Sequence, residues 1–192
     1  MHEEKNKNLL LHICCAPDGT VPVHDLKIQG WNVRGFFYGN NIHPENEYLK
    51  RLSAIKILAE KNDIDIITPE YNPGEWLNKI KISGLESEPE GGRRCEKCFN
   101  LQFEAAAQQA VNLNFKYFCT TLTISPHKNV NLILKTGDEI SQKYNLNWLG
   151  IIWRKNNGFL RSIKFSKEFN LYRQNYCGCV YSIREPVNSN TL

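Results

Sequence analysis

Seven cysteines stand in a chain of 192 residues, and six of them fall in close pairs. The cysteines are Cys14 and Cys15, Cys95 and Cys98, Cys177 and Cys179, and the single Cys119. Two of the pairs suit a soft metal ion or an iron–sulfur cluster, because both prefer thiolate ligands. The third pair suits a dithiol that cycles with a disulfide. Together they indicate reductive chemistry beside an electron-transfer centre.

The spacing Cys95-x-x-Cys98 occurs in zinc sites, iron–sulfur sites and thioredoxin-like redox sites alike. This pair stands at the predicted start of a helix, beside the basic residues Arg93, Arg94 and Lys97. We expect both features to lower the pKa of the two thiols and so to favour the thiolates that metals require. With the first cysteine pair, four thiolates could hold either a [4Fe–4S] cluster or a zinc ion.

Adjacent cysteines pose a geometric question at Cys14 and Cys15. Successive side chains of an extended backbone point to opposite sides, so both thiols face one centre only if the chain bends there. Otherwise one thiol faces the cluster and the other faces the substrate or a second metal. Asp18 would be a natural hard ligand for that second metal, or it caps the helix that follows.

The Cys177-x-Cys179 pair is too close in sequence to complete a site that four other cysteines already fill. A disulfide across one residue closes a very small ring, and strained disulfides are the easily reduced kind. Gly178 gives the backbone the freedom for this closure. The pair could therefore store two electrons and two protons; the alternative is two more metal ligands. Cys119 lies in an apolar segment and is expected to be a core residue.

Four other residues are candidates for proton or phosphate chemistry. His127 precedes a predicted helix and is either a general acid, a phosphate contact or a surface residue. His43 and Tyr38 lie in another predicted edge loop, with the same alternatives. His12 lies on a buried strand, where a core histidine is expected. Aromatic and polar residues also precede the last cysteine pair and could stack on or bind a nucleotide, or simply pack: Tyr172, Arg173, Gln174 and Tyr176.

Composition favours one domain without a membrane span. The chain has no run of about 18 apolar residues and no leader-like start, so we expect a cytoplasmic protein with reduced cysteines. Residues 128–192 carry ten lysines and arginines against four acidic residues. This basic third would attract a polyanion such as RNA, or it forms a solvated surface.

Strand and helix patterns alternate along the chain, which predicts a doubly wound α/β fold with a mostly parallel sheet. The predicted strands are 8–13, 32–38, 64–68, 115–121 and 148–153. Helices are predicted at 21–28, from Pro44 onward, and at 75–82, 95–111, 129–144 and 166–170. The loops after the first, second and fourth strands should meet at the carboxyl edge of the sheet, where such folds bind ligands. We expect a flexible segment at 1–8, a catalytic domain at 9–184 and a tail at 185–192.

Five motifs, taken in order, resemble the QueH-type epoxyqueuosine reductases over about Leu9 to Ser182. They are LLLHICCAPDGT, FFYGNNIHPENEYLKR, RRCEKCF, TTLTISPHKN and LYRQNYCGCVYS. The last motif is specific, whereas the CxxC alone would not be. The chain departs from the family pattern at Asp18, where many relatives carry a further cysteine, and this leaves the ligand set around Asp18 open.

The resemblance implies an HUP-like fold, similar to PP-loop proteins but with CCAPDGT in place of the phosphate loop, so that ATP use is not expected. It implies removal of the epoxide oxygen from epoxyqueuosine in the anticodon loop of tRNA, with an external electron donor. It further implies a [4Fe–4S] cluster at Cys14, Cys15, Cys95 and Cys98. We place an additional iron near Asp18, and Cys177 and Cys179 would be the catalytic redox pair.

Two other functions also fit the cysteine pattern. A zinc-stabilised RNA-binding module would use the first two pairs structurally. A cluster-dependent sulfur transferase acting on tRNA would use one cysteine to carry a persulfide.

Overall fold

Five parallel strands form one sheet in the computed structural model, which describes residues 7–183. In chain order they are β1 (Asn8–His12), β2 (Asn32–Phe36), β3 (Ile66–Ile67), β4 (Tyr117–Thr120) and β5 (Asn147–Trp148). Across the sheet the order is β3-β2-β1-β4-β5, and each neighbouring pair is parallel. The centre of β1 is Leu9, Leu10 and Leu11, all fully buried, as an apolar strand covered on both faces must be.

Helices cover both faces of this sheet, which confirms the doubly wound α/β fold. Within residues 7–183 they are α1 (Ala16–Ile28), α2 (Glu45–Asn62), α3 (Pro73–Ile82), α4 (Arg93–Asn112), α5 (Val130–Tyr144) and α6 (Gly158–Glu168). Successive residues of β1 point to opposite faces. Leu9 and Leu11 therefore join the core beneath α1, α2 and α6, while Leu10 joins the core beneath α3, α4 and α5. None of these helices is long and apolar enough to cross a membrane.

The carboxyl ends of β1, β2 and β4 lie side by side, as predicted. The ladder of β1 continues past its last residue, since Ile13 N–H donates to the Phe36 carbonyl and Thr121 N–H donates to the His12 carbonyl. A short 3-10 turn at Leu122–Ile124 follows β4. The chain segments after β1 and β4 thus leave the sheet next to each other, and this adjacency positions the site.

Several predicted boundaries were wrong. Helix α1 begins at Ala16 rather than at residue 21, so part of the CCAPDGT motif, which was predicted to precede the helix, forms its first turn. Pro17 is tolerated there because a first-turn residue needs no hydrogen bond from its N–H. The fifth strand has two residues rather than six, and the last helix begins at Gly158 rather than at residue 166.

The ends of the chain were predicted to be a flexible segment and a tail. Residues 1–6 and 184–192 lie outside the described part of the chain, so these two expectations stay predictions. Lys7 and Asn8 are described, and Asn8 begins β1.

Candidate metal and redox site

A cavity of about 530 Å³ opens at the carboxyl edge of the sheet. Six of the seven cysteines line it, together with Asp18: Cys14, Cys15, Cys95, Cys98, Cys177 and Cys179. Cys119 does not; it is fully buried in the core, as predicted. The three close pairs, which are spread over more than 160 positions of sequence, therefore share one site.

The first pair lies where β1 passes into α1. The backbone bends at Cys14 and Cys15, so the condition for both thiols to face one centre is met. The Cys14 N–H donates to Oγ1 of Thr121 at 3.2 Å, which ties this bend to the segment after β4. The ligand atoms of Cys14, Cys15 and Asp18 all lie within 4.8 Å of one another. One cation could contact all three groups.

Asp18 does not cap α1. The N-cap residue is Cys15, and Asp18 lies inside the first turn of the helix. Its Oδ2 accepts a hydrogen bond from Sγ of Cys14 at 3.3 Å. Burial raises the pKa of the Asp18 carboxyl, and the hydrogen bond from Cys14 and the charge of Lys128 oppose that rise only in part.

The second pair lies in the first two turns of α4, which begins at Arg93. Sγ of Cys95 accepts the Gly91 N–H at 3.2 Å, and Sγ of Cys98 accepts an N–H of the Gln102 side chain at 3.1 Å. The expected lowering of the thiol pKa values was wrong. Burial raises the pKa of both cysteines, and the nearby Cys177 raises them further.

Arg94, the basic residue directly before Cys95, does not offset the effect of burial on the thiol pKa values. Arg94 is buried and its guanidinium donates to the carbonyls of Glu86 and Glu88 rather than to a thiol. It also packs over the ring of Tyr181, with 4.7 Å between Cζ and the ring centroid. The charge of Arg94 therefore stabilises the loop before α4 rather than a cysteine thiolate.

The donor set fits a metal centre. Hydrogen bonding with Cys15 and burial raise the pKa of Cys14, and burial raises the pKa of Asp18 and Cys98. Several acidic groups thus crowd one partly closed cavity, where burial disfavours their anionic forms. A metal centre would supply further positive charge beside Lys128, and four thiols with one carboxylate are ligands that iron accepts.

The third pair reaches the cavity from the segment after α6. All the described cysteines, including Cys177 and Cys179, are free thiols. Cys179 is only 8% exposed, and its Sγ lies 3.5 Å from Oγ of Ser182. Cys177 is more exposed, and the Lys128 ammonium group donates to its Sγ at 3.2 Å. The two sulfurs of this pair therefore have different surroundings.

Lys128 is a site residue that the sequence interpretation passed over in favour of its neighbour His127. Burial lowers the pKa of Lys128, but Cys177, Cys14 and Asp18 together raise it above its ordinary value. Its ammonium group also lies 5.6 Å from the centroid of the Phe99 ring. A cation is thus fixed beside Cys177 and within electrostatic reach of Cys14 and Asp18.

Only some of the other residues proposed from the sequence line the cavity. His127, Arg173, Gln174 and Tyr176 line the cavity. His12 is a core histidine, as expected: its Nδ1 lies 2.9 Å from Oγ1 of Thr120, and burial lowers its pKa to about 3. His43 and Tyr38 do not line the cavity. The His43 ring instead lies 5.5 Å from the ring of Trp76, a fully buried cavity residue that the sequence interpretation missed.

A family model and several individual proteins that are similar to this chain share one family description. The model of the family described as "Epoxyqueuosine reductase QueH" matches residues 9–185. The chain is 37% identical over 188 residues to the epoxyqueuosine reductase QueH of Streptococcus pyogenes serotype M1, covering 95% of this chain and 72% of that protein. It is 41% identical over 178 residues to the protein of the same name from Acinetobacter baylyi, covering 92% and 81%. For the protein of that name from Thermotoga maritima the identity is 35% over 180 residues, covering 92% and 91%.

A solved structure supports the fold. The chain is similar to the U34-tRNA thiolase NcsA from Methanococcus maripaludis with its [4Fe-4S] cluster, with a TM-score of 0.55 at 9% sequence identity. The similarity covers 96% of this chain and 60% of that one. The likeness at this identity shows the PP-loop-like fold alone.

Proposed function

The chain belongs to the QueH family of epoxyqueuosine reductases, and from this premise we propose that it converts epoxyqueuosine to queuosine in the anticodon loop of tRNA. The observation that carries the proposal is the cavity in which three cysteine pairs and Asp18 meet. Family membership does not favour the zinc-stabilised RNA-binding module or the sulfur transferase that the cysteine pattern alone left open.

The reaction needs two electrons and two protons. The epoxide loses its oxygen as water, and the two carbons that carried it become joined by a double bond. Oxidation of Cys177 and Cys179 from two thiols to one disulfide releases two electrons and two protons, which balances this reduction. An external electron donor then reduces the disulfide for the next turnover.

The metal centre is assigned to the other two pairs. We propose that Cys14, Cys15, Cys95 and Cys98 hold a [4Fe–4S] cluster and that Asp18 contributes to an additional iron. When bound, the cluster supplies one-electron transfer and the additional iron supplies Lewis acidity. The bend at Cys14 and the hydrogen bonds to Cys95 and Cys98 orient the sulfurs toward the cavity.

The remaining cavity residues bind and orient the substrate. A volume of about 530 Å³ suits one modified nucleobase with its ring substituent. The partly exposed ring of Phe159 can stack on a base, and the buried Phe99 and Trp76 form an apolar wall that excludes water. Lys128 holds an ammonium proton beside Cys177, where it can hydrogen-bond to an oxygen that leaves the substrate. Because its substrate is tRNA, we place the enzyme in the cytoplasm.

Iron and product analyses of three variants test this assignment. Anaerobically purified protein should contain iron and sulfide and should convert epoxyqueuosine in tRNA when a reductant is supplied. Cys177→Ser should abolish turnover with bound iron nearly unchanged, whereas Cys95→Ser should lose most of the iron. Cys119→Ala is the matched control, because this cysteine is in the core and should leave both measurements unchanged.

Three outcomes would contradict the proposal. Colourless protein with zinc and no iron would indicate the structural zinc module. Sulfur incorporation into tRNA, with epoxyqueuosine unchanged, would indicate a transferase. Loss of iron in Cys177→Ser would make the third pair metal ligands.

A further inference from the structure

A buried arginine of α2 holds the backbone that carries the third cysteine pair. Arg51 is 2% exposed. Its guanidinium donates to the Cys177 carbonyl at 2.9 Å and to the Tyr176 carbonyl at 3.2 Å. Its Nε donates to Oε1 of Glu47, also buried, at 2.8 Å. One rigid side chain thus satisfies two consecutive carbonyls of the redox segment, which we define as residues 176–179.

The same region of the fold makes two further contacts with the redox segment and one with Tyr172, which precedes it. The second oxygen of Glu47 accepts a hydrogen bond from the Tyr172 hydroxyl at 2.8 Å. Just before α2, the His43 N–H donates to the Gly178 carbonyl at 2.8 Å, and the Tyr176 hydroxyl donates to the His43 carbonyl. The carbonyls of residues 176, 177 and 178 therefore all accept hydrogen bonds from groups in or next to α2.

The Arg51 guanidinium lies close against the backbone of Gly178. The φ of this glycine is +133°, in the region that side chains disfavour, and a Cβ placed there would lie 3.0 Å from a guanidinium nitrogen of Arg51. The Gly178 N–H donates to Oγ of Ser182 at 3.3 Å. The N–H and the carbonyl of Gly178 are both hydrogen-bonded. The backbone is therefore held in place at the residue between the two cysteines.

The conformation that is fixed in this way holds two free thiols. A disulfide between Cys177 and Cys179 joins the two sulfurs with loss of two protons and two electrons. Few backbone conformations allow so small a ring, so we expect its closure to rotate the backbone at Gly178 away from its present φ of +133°. Rotation there would strain or break the hydrogen bonds from Arg51 and His43. These contacts therefore stabilise the dithiol more than the disulfide.

We propose that Arg51 is a positioning residue for the redox pair and that it raises the reduction potential of the Cys177–Cys179 disulfide by favouring the dithiol. The inference rests on the proposed function, in which this pair cycles between the two states. A disulfide whose reduced form is stabilised is a stronger oxidant and is reduced more readily by a donor. Arg51 would thereby help the pair return to its active dithiol after each turnover.

The test measures the disulfide itself rather than turnover. Anaerobically purified protein with its metal centre is equilibrated in glutathione redox buffers, and free thiols are then alkylated. Mass spectrometry of the peptide that carries both cysteines gives the disulfide fraction. Arg51→Lys keeps the charge but not the planar fork that reaches two carbonyls. The double variant Glu47→Gln with Arg51→Met removes the ion pair without leaving one buried charge alone.

We expect the double variant to shift the dithiol–disulfide equilibrium roughly tenfold toward the disulfide, equivalent to a potential about 30 mV lower. Arg51→Lys should shift it in the same direction by less, and bound iron should stay unchanged in both. Arg161→Met is the matched control: it removes a two-fold hydrogen-bonded ion pair with Asp25 between α1 and α6, outside the cavity. Its potential should equal that of the unaltered protein.

The outcomes separate this inference from the function on which it rests. If the unaltered protein forms no disulfide at this pair, the proposed redox role fails and the inference fails with it. If the disulfide forms and both Arg51 variants keep the original potential, the inference alone is overturned. If Arg161→Met lowers the potential as much as the Arg51 variants do, the inference is also overturned, because the effect would then be general destabilisation. If the double variant does not fold, Arg51→Lys decides.

Discussion

The ammonium nitrogen of Lys128 lies 3.2 Å from Sγ of Cys177, and these residues are 49 positions apart in the chain. Within residues 7–183 no lysine or arginine donates to the Cys179 sulfur, which lies 3.5 Å from Oγ of Ser182. An ammonium group that donates to one sulfur of a dithiol stabilises the negative charge on that sulfur as it attacks, and of the two sulfurs only that of Cys177 accepts such a hydrogen bond within residues 7–183. Cys177 is therefore the member of the pair that should react first.

Replacing Lys128 with methionine should slow the reaction of Cys177 with iodoacetamide. Loss of a charge-assisted hydrogen bond of about 1.5 kcal/mol to the attacking sulfur corresponds to roughly a tenfold slower reaction. Alkylation rates of the individual cysteine peptides, measured by mass spectrometry at neutral pH, give this value. Lys128→Arg keeps the charge and should retain most of the reactivity. Equal rates in the methionine variant and the unaltered protein would refute the ion pair.

Asp18→Asn tests the additional iron. Its carboxylate lies with Cys14 and Cys15 within 4.8 Å, and an amide is a much weaker iron ligand than a carboxylate. The iron count should fall by about one per chain while sulfide stays constant. Asp138→Asn is the control, because that residue is exposed on α5. An unchanged iron-to-sulfide ratio in Asp18→Asn would argue against a separate iron at this position.

Gln102→Met should make the cluster harder to reduce. The amide of Gln102 donates to Sγ of Cys98, and such a donor stabilises the negative charge that grows on the ligand sulfurs on reduction. One hydrogen bond of about 1 kcal/mol corresponds to a potential on the order of 40 mV lower for a one-electron couple.

An anaerobic redox titration followed by electron paramagnetic resonance measures this shift. Gln108→Met, on the exposed face of the same helix, is the control and should leave the potential unchanged. A cluster with its original potential in Gln102→Met would mean that this hydrogen bond does not act on the metal centre.

Gly137→Ala should destabilise the fold without touching the site. A Cβ at this position of α5 would lie 2.2 Å from the ring of Trp148 on β5. The helix and the strand would have to separate, and overpacking of this kind costs about 1–3 kcal/mol in the free energy of unfolding. Urea unfolding measures the loss.

Gly74→Ala is the matched control for that measurement. A Cβ there would have Asn72 Oδ1 as its nearest contact, at 3.6 Å. Its free energy of unfolding should stay within about 0.5 kcal/mol of the original value. Equal stability of the two alanine variants would show that α5 can move away from β5 at little cost.

The sequence predicted the fold well where local pattern decides the structure. The apolar run at β1 and the amphipathic helix after Pro44 were both placed correctly. The start of α1 was misplaced because Pro17 and Gly19 usually break helices. Here Pro17 occupies the first turn, and Gly19 is needed because a Cβ would lie 2.7 Å from Leu58 of α2. Tertiary packing therefore overrode local preference at that point.

The site was predictable in its cysteines but not in their supporting residues. The spacing of the pairs marks them as a group in the sequence alone. Arg51 and Cys177, by contrast, are 126 positions apart, and no local pattern connects them. One signal was present: Glu47 and Arg51 are one helical turn apart on the face of α2 that carries buried Tyr48 and Ile55. Charged residues on an apolar face need partners.

The central position of β1 also has a consequence for the synthesis of the protein. His12 pairs with residues of β4 that come 108 positions later, and the redox pair follows more than 50 positions after that. Domains emerge from the ribosome N-terminal part first. Cys14 and Cys15 are thus made early. The strand that precedes them, β1, lacks its second neighbouring strand until about two thirds of the chain has been translated. The cavity that would hold the proposed metal centre is therefore complete only after β4 and the third cysteine pair have been made.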